Sequence, residues 1–170
     1  MSPLRGTALL ALALSLVAVA GVLAYRHFEV ATPESATAVE LAVLDGPGTR
    51  RLADWHGTPI VVNLFASWCP SCLSEMPRFE RASHEYAGRV VVIGVDTKDS
   101  RATGLQLARE IGITYSLLAD TDRADLYGSL QGQGMPVTAF IRGDGRIKQV
   151  YSGELDDALL RGLIDDLLRN

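Results

Sequence analysis

The chain has 170 residues, of which 48% are hydrophobic, and its formal net charge is −4. This length fits one domain plus a short extra segment, and the apolar fraction is typical of a packed globular core. The sequence contains no basic block, so a nucleic acid is excluded as the expected partner.

The N-terminal residues 1–30 are predicted to form a membrane anchor or a signal segment. Arg5 precedes residues 7–25, which carry no charge, and a helix of that length is sufficient to cross a hydrocarbon core of about 30 Å. Residues 18–20 match an A-x-A cleavage site, whereas the continuation of the apolar run to Tyr25 favours an uncleaved anchor. Both interpretations place the rest of the chain outside the cytoplasmic membrane, with the N-terminus of an anchor inside.

A linker and a first strand are predicted to follow. Residues 31–38 are small and polar and include a proline, which predicts a linker from the membrane to a folded domain over residues 39–170. In that domain Val39, Leu41 and Val43 alternate with other residues, which indicates a strand with one buried face.

Two further strands are predicted to be buried on both faces. Residues 59–66 and 90–96 are almost entirely apolar and rich in β-branched side chains, as is typical of central strands covered by helices. A helix over about 70–87 lies between them and ends at Gly88.

The second half of the domain continues the alternation of helices and strands. Ser100 and Gly112 are the predicted caps of a helix whose inner face carries Ala102, Leu105 and Ala108. A short strand over 115–120, a hairpin over 136–153 and a final helix over 155–168 complete the chain. This order predicts an α/β fold with a central mixed β-sheet flanked by helices.

Cys69 and Cys72 are the two cysteines of the chain, and such a pair has three possible interpretations. A structural disulfide would close a very short loop and would stabilise the fold little. A zinc site needs four ligands, and the candidates His56 and His84 lack finger-like spacing. A redox pair is favoured because the C-x-x-C motif follows a buried strand and opens a helix.

The redox interpretation assigns a different task to each cysteine. Cys69 lies at the predicted helix N-terminus, and Pro70 takes the first helical position, where a missing N–H costs nothing. The positive end of the helix dipole stabilises a thiolate on Cys69 and lowers its pKa. Cys69 is therefore the predicted attacking nucleophile, and Cys72 the thiol that resolves the mixed disulfide.

The sequence resembles the thioredoxin superfamily and, within it, the membrane-anchored extracytoplasmic branch typified by TlpA, ResA and DsbE (CcmG). The matching stretches are "VVNLFASWCPSCLSEMP", "GVDTKDSRA", "GMPVTAFI" and "GDGRI", in this order. The resemblance implies a thioredoxin-like fold preceded by one transmembrane helix. It also implies an N-terminal strand extension at Val39 and a central insert around the helix that begins after Ser100.

The resemblance assigns substrate-binding roles to three residues. Pro136 stands where the superfamily has a cis-proline that faces the cysteines, and the backbone of Met135 would pair with the strand of a bound substrate. Trp68 would form the rim of the substrate groove. The alternatives are that Pro136 simply opens a strand and that Trp68 is a packing residue.

Glu75 is the third predicted catalytic residue, beside Cys69 and Cys72. Thioredoxin has a proton-handling aspartate where this chain has Asn63, whose amide cannot take that role. The ResA and CcmG branch has a glutamate at the position of Glu75, one turn after Cys72 on the same helix face. The alternative is an acid that complements the helix dipole.

By resemblance, the chain is predicted to be a thiol–disulfide oxidoreductase that reduces client disulfides without a cofactor or a metal ion. A membrane electron donor of the DsbD or CcdA kind would recharge it. Apocytochrome c is one candidate client, although Val137 stands where CcmG typically has glutamate. The alternatives are a broader disulfide reductase in redox stress, an oxidant that introduces disulfides, and a non-enzymatic copper chaperone.

Overall fold

The computed structural model describes residues 33–120 and 125–169. The predicted anchor or signal segment at 1–30 lies outside the described residues. Within them, no helix combines the length and apolarity needed to span a membrane.

The described residues contain a seven-stranded mixed sheet with the strand order β2-β1-β5-β4-β3-β6-β7. Strands β3, β4 and β5 are parallel, whereas the other pairings are antiparallel. This arrangement confirms the predicted central mixed sheet. The strands are β1 (Glu40–Val43), β2 (Thr49–Arg51), β3 (Ile60–Phe65), β4 (Val91–Thr97), β5 (Ser116–Asp120), β6 (Val137–Ile141) and β7 (Ile147–Ser152).

Helices cover both faces of this sheet. They are α1 (Pro33–Ala38), α2 (Pro70–Glu85), α3 (Arg101–Ile111), α4 (Asp125–Ser129) and α5 (Asp157–Leu168), with a 3-10 helix at Leu52–Trp55. One apolar cluster contains residues of α2, α3 and α5, and a second contains residues of α1, α4 and the 3-10 helix.

Strand β3 shows why the sequence pattern predicted burial on both faces. All six of its residues are buried. Val61 and Phe65 belong to the first cluster, whereas Val62 and Leu64 belong to the second. Because successive side chains of a strand point to opposite faces, one apolar run fills both cores. The strand thereby holds the start of α2, and with it the cysteines, on a rigid support.

Two details of the fold differ from the sequence prediction. The predicted linker at 31–38 includes α1, whose Ala36 is fully buried in the second cluster. In α3 the predicted inward residue Ala102 is exposed, and Gly104 is buried instead. Gly104 packs directly against the side chain of Asp96, and a Cβ atom added at this position would lie 2.2 Å from Asp96 Oδ2.

Candidate active site

The two cysteines form a disulfide at the amino end of α2. The S–S distance is 2.07 Å and the Cα atoms are 5.3 Å apart. Cys69 is 3% exposed and Cys72 is fully buried. Of the two cysteines, only Cys69 therefore keeps some exposed surface, and the division of tasks between them stays a prediction.

Cys69 is the N-cap of α2. Its side chain accepts a hydrogen bond from the backbone N–H of Cys72, with an N···Sγ distance of 3.2 Å, and Pro70 begins the helix. A backbone N–H and the positive end of the helix dipole both favour negative charge on that sulfur. When the disulfide is reduced, this position stabilises the thiolate of Cys69.

The predicted cis-proline lies at the same edge of the sheet as the disulfide. The Met135–Pro136 peptide bond is cis, as the resemblance implies. The antiparallel register pairs Leu64 with Val137, so the end of β3 that leads to the cysteines lies beside the start of β6. Met135 is partly buried against the apolar cluster that contains both cysteines.

Trp68 begins a chain of contacts along the rim of the site. Its side chain is 56% exposed, and its Nε1–H donates to the carbonyl of Lys98 at 2.9 Å. The Lys98 ammonium lies 3.5 Å from the centroid of the Tyr127 ring, at cation–π distance. The Tyr127 hydroxyl donates to the carbonyl of Gly134 and accepts from its N–H. The rim is thus connected from Trp68 to the residue before Met135.

Sequence reasoning did not identify Lys98 or Tyr127 as site residues. Lys98 lies within the matching stretch "GVDTKDSRA", but the motif did not indicate a contact with Trp68. Tyr127 is separated from the cysteines along the chain and belongs to no motif. Only the folded structure brings both to the rim.

Glu75 lies on α2, one turn after Cys72, and is fully buried. Its Oε1 accepts a hydrogen bond from Asn63 Nδ2 at 2.7 Å, and its Oε2 accepts one from the backbone N–H of Leu155 at 2.9 Å. Burial raises its pKa from 4.5 to about 7, although both hydrogen bonds act in the opposite direction. A carboxyl group with this pKa exchanges protons readily at neutral pH.

Asn63 completes the buried polar cluster around Glu75. Its Nδ2 lies 3.4 Å from Thr138 Oγ1, and its Oδ1 is buried without a hydrogen-bond partner. A buried acceptor without a partner is costly. Rotation of the Asn63 amide would turn Oδ1 towards Glu75. In that orientation Oδ1 would accept a hydrogen bond from the protonated carboxyl group.

A mixed sheet of this topology, with an N-capping C-x-x-C disulfide beside a cis-proline, defines the class of thioredoxin-fold redox proteins. Comparison with known proteins agrees with this class. The model of the AhpC/TSA family matches residues 33–150, and the chain belongs to this family.

Individual relatives refine the comparison. The thiol:disulfide interchange protein DsbE of Pseudomonas fluorescens biotype C is 32% identical over 124 residues, which are 73% of this chain and 68% of that protein. The protein of the same name from Escherichia coli strain K12 is 32% identical over 123 residues, or 68% of this chain and 62% of its own length. The alignments therefore span about two thirds of these relatives.

The solution structure of a putative thioredoxin from Neisseria meningitidis is similar to the described fold. Its TM-score is 0.68 at 28% identity, and the match covers 78% of this chain and 88% of that one. The thioredoxin-like fold that the resemblance implied is thus confirmed.

Proposed function

We propose that this protein is a thiol–disulfide oxidoreductase that works outside the cytoplasmic membrane and reduces disulfides in client proteins. The observation that carries the proposal is the Cys69–Cys72 disulfide, with the Cys69 sulfur at the amino end of α2 and at the same sheet edge as the cis-proline. The names of the DsbE relatives support the same chemistry.

The reaction begins with the reduced enzyme. The Cys69 thiolate attacks one sulfur of the client disulfide, a mixed disulfide forms, and the first client sulfur leaves as a thiolate that takes a proton from solvent. Cys72 then attacks the Cys69 sulfur, which releases the second client thiolate and closes the enzyme disulfide. Two electrons pass from the enzyme dithiol to the client.

Glu75 takes part in the second step as the proton acceptor for Cys72. It lies one turn after Cys72 on the same helix, and its pKa of about 7 lets it accept a proton at neutral pH. The burial that raises this pKa argues against the alternative role of a charged group that complements the helix dipole, because burial disfavours the charged form.

The client binds along the rim between Trp68 and the cis-proline. The exposed indole of Trp68 offers apolar contact area, and the backbone of Met135 pairs with the extended client chain beside Cys69. Main-chain pairing of this kind tolerates many client sequences, whereas the side chains on the rim select among them.

Two partners complete the proposal. The oxidised enzyme receives electrons from a membrane donor of the DsbD or CcdA kind, and residues 1–30 hold the domain at the extracytoplasmic side of the membrane. Apocytochrome c is the proposed client, since the resemblance to ResA and CcmG points to the haem-attachment cysteines.

Equilibration of the purified protein with glutathione buffers tests the direction of electron flow. A reductase is expected to have a reduction potential well below about −180 mV, and a potential above that value would assign the protein as an oxidant. Cys69→Ser is the inactive control for exchange.

The proposed client is tested with two oxidised peptides of equal length and charge. One carries a Cys-x-x-Cys-His segment and the other carries the same residues in scrambled order. A faster reduction of the first peptide supports the specialised client, whereas equal rates would contradict it and favour a broad reductase.

A further inference from the structure

We propose that Arg78 is a positioning residue for proton transfer at Glu75, and that it acts by holding residues 153–155 between the cis-proline and α2. The proposal rests on the function proposed above. It adds to the site a residue that belongs to none of its motifs.

Residues 153–155 lie in the connection from β7 to α5 and join the two halves of the site. The N–H of Gly153 donates to the carbonyl of Pro136 at 2.9 Å. The N–H of Leu155 donates to Glu75 Oε2, also at 2.9 Å. The cis-proline and the buried carboxyl group are therefore held by the same three residues, and a shift of this segment alters both contacts.

Arg78 fixes this segment from the surface of α2. Its Nη1 donates to the carbonyl of Leu155 at 2.7 Å and to Glu154 Oε1 at 2.8 Å. Along the chain, the Leu155 N–H lies between these two acceptors, the Glu154 side chain and the Leu155 carbonyl. A planar guanidinium group presents several N–H donors in a fixed geometry, so Arg78 holds the N–H in line with Glu75.

Ser74 reinforces the contact between Arg78 and Glu154. Its hydroxyl donates to Glu154 Oε1 at 2.7 Å, and Arg78 Nη2 lies 3.4 Å from the Ser74 oxygen. The Arg78 side chain is only 22% exposed, so solvent screens its contacts less than those of a fully exposed ion pair.

The charges of Arg78 and Glu154 act on the pKa of Glu75 in opposite directions. Burial is the main cause of its raised pKa, and the Leu155 N–H is the main group that lowers it. The Glu154 carboxylate raises the pKa of Glu75, whereas the Arg78 guanidinium lowers it. Removal of Arg78 should therefore raise the pKa of Glu75 for two reasons. It removes a positive charge that favours the carboxylate, and it releases the Leu155 N–H.

Tyr115 is a further buried titratable group on which the charge of Glu75 acts. Tyr115 lies in the segment before β5, and burial raises the pKa of its hydroxyl far above the usual value, with the charges of Glu80 and Glu75 acting in the same direction. Tyr115 therefore stays neutral near pH 7 and does not compete with Glu75 for the proton.

The test follows the backbone amide signals of Gly153 and Leu155 by NMR during a pH titration of the full-length protein in its disulfide form. The variants are Arg78→Gln and Glu154→Gln. Arg81→Gln is the matched control, because Arg81 lies one turn further along α2 and pairs with Asp157 at 2.8 Å, without a contact to residues 153–155.

We expect a wild-type midpoint near pH 7 for both amides, since Glu75 has a pKa of about 7. Arg78→Gln should move the midpoint upward by about one pH unit and Glu154→Gln should move it downward, because each removes a nearby charge. Arg81→Gln should leave it unchanged. The pH profile for release of a peptide from its mixed disulfide should move in the same directions.

The proposal is overturned if Arg78→Gln and Glu154→Gln both titrate like the wild type, or if Arg81→Gln shifts the midpoint as far as Arg78→Gln does. If Arg78→Gln fails to fold, the direction of the shift in Glu154→Gln decides. The amide titration needs no client. A wild-type protein that reduces no disulfide would thus refute the proposed function without altering this result.

Discussion

Replacement of Glu75 by glutamine should change how the stability of the protein depends on pH. Glu75 is fully buried, and burial raises its pKa from 4.5 to about 7. The folded state therefore holds this proton more tightly than the unfolded chain does. It follows that the contribution of Glu75 to stability is greatest below about pH 4.5 and is lost as the pH rises to about 7.

The magnitude follows from the size of the pKa change. At about 1.4 kcal/mol for each pKa unit, the rise from 4.5 to about 7 corresponds to roughly 3 kcal/mol. The Glu75→Gln variant does not titrate at this position. Its free energy of unfolding, relative to the wild type, should therefore increase by about 3 kcal/mol between pH 4.5 and pH 8.

Urea unfolding at a series of pH values, with the disulfide intact, measures this difference. Every other titrating group is common to both proteins, so its effect cancels in the comparison. Glu85→Gln serves as the control, because Glu85 forms an exposed ion pair with Arg161 and its removal should change stability by less than about 1 kcal/mol at any pH. Parallel stability curves for the wild type and Glu75→Gln would refute the reasoning.

Three further substitutions test other parts of the structure. The free energy of unfolding of Asp96→Asn, relative to the wild type, should increase by about 3 kcal/mol between pH 5 and pH 8 in urea unfolding, because burial raises the pKa of Asp96 to about 7; an unchanged pH dependence would contradict this. Gly104→Ala should lower the free energy of unfolding by about 1–3 kcal/mol, since the new Cβ would lie 2.2 Å from Asp96 Oδ2, and a neutral effect would show that α3 shifts freely. Trp68→Ala should raise the KM for a disulfide peptide. It should leave thermal stability nearly unchanged, because the side chain is 56% exposed; an unaltered KM would show that Trp68 does not contact the client.

Local signals in the sequence predicted six of the seven strands in the described residues, the longer helices and the cysteine pair, whereas the short strand β2 was not predicted. The fully buried β3 and the caps Ser100 and Gly112 lie where the sequence places them. Each of these features depends on neighbouring residues, so periodicity and capping rules suffice to locate it. The cis-proline was predicted from the resemblance, because no local signal distinguishes it from a proline that opens a strand.

The hydrogen bonds around Glu75 could not be predicted, because they join residues that are far apart in the chain. The hydrogen bond from Leu155 to Glu75 joins residues 80 positions apart, and the one from Arg78 to Glu154 joins residues 76 positions apart. No periodicity or motif spans such distances. The burial of Gly104 against Asp96 was also not predicted, because it depends on how α3 packs against the end of β4.

Trapping of mixed disulfides tests most directly the claim that Cys69 attacks and Cys72 resolves. The Cys72→Ser variant, expressed in cells and analysed by mass spectrometry after acid quenching, is expected to accumulate client proteins bound through Cys69. The Cys69→Ser variant should accumulate far fewer, because the Cys72 side chain is fully buried. Equal trapping by both variants, or none by either, would contradict the account.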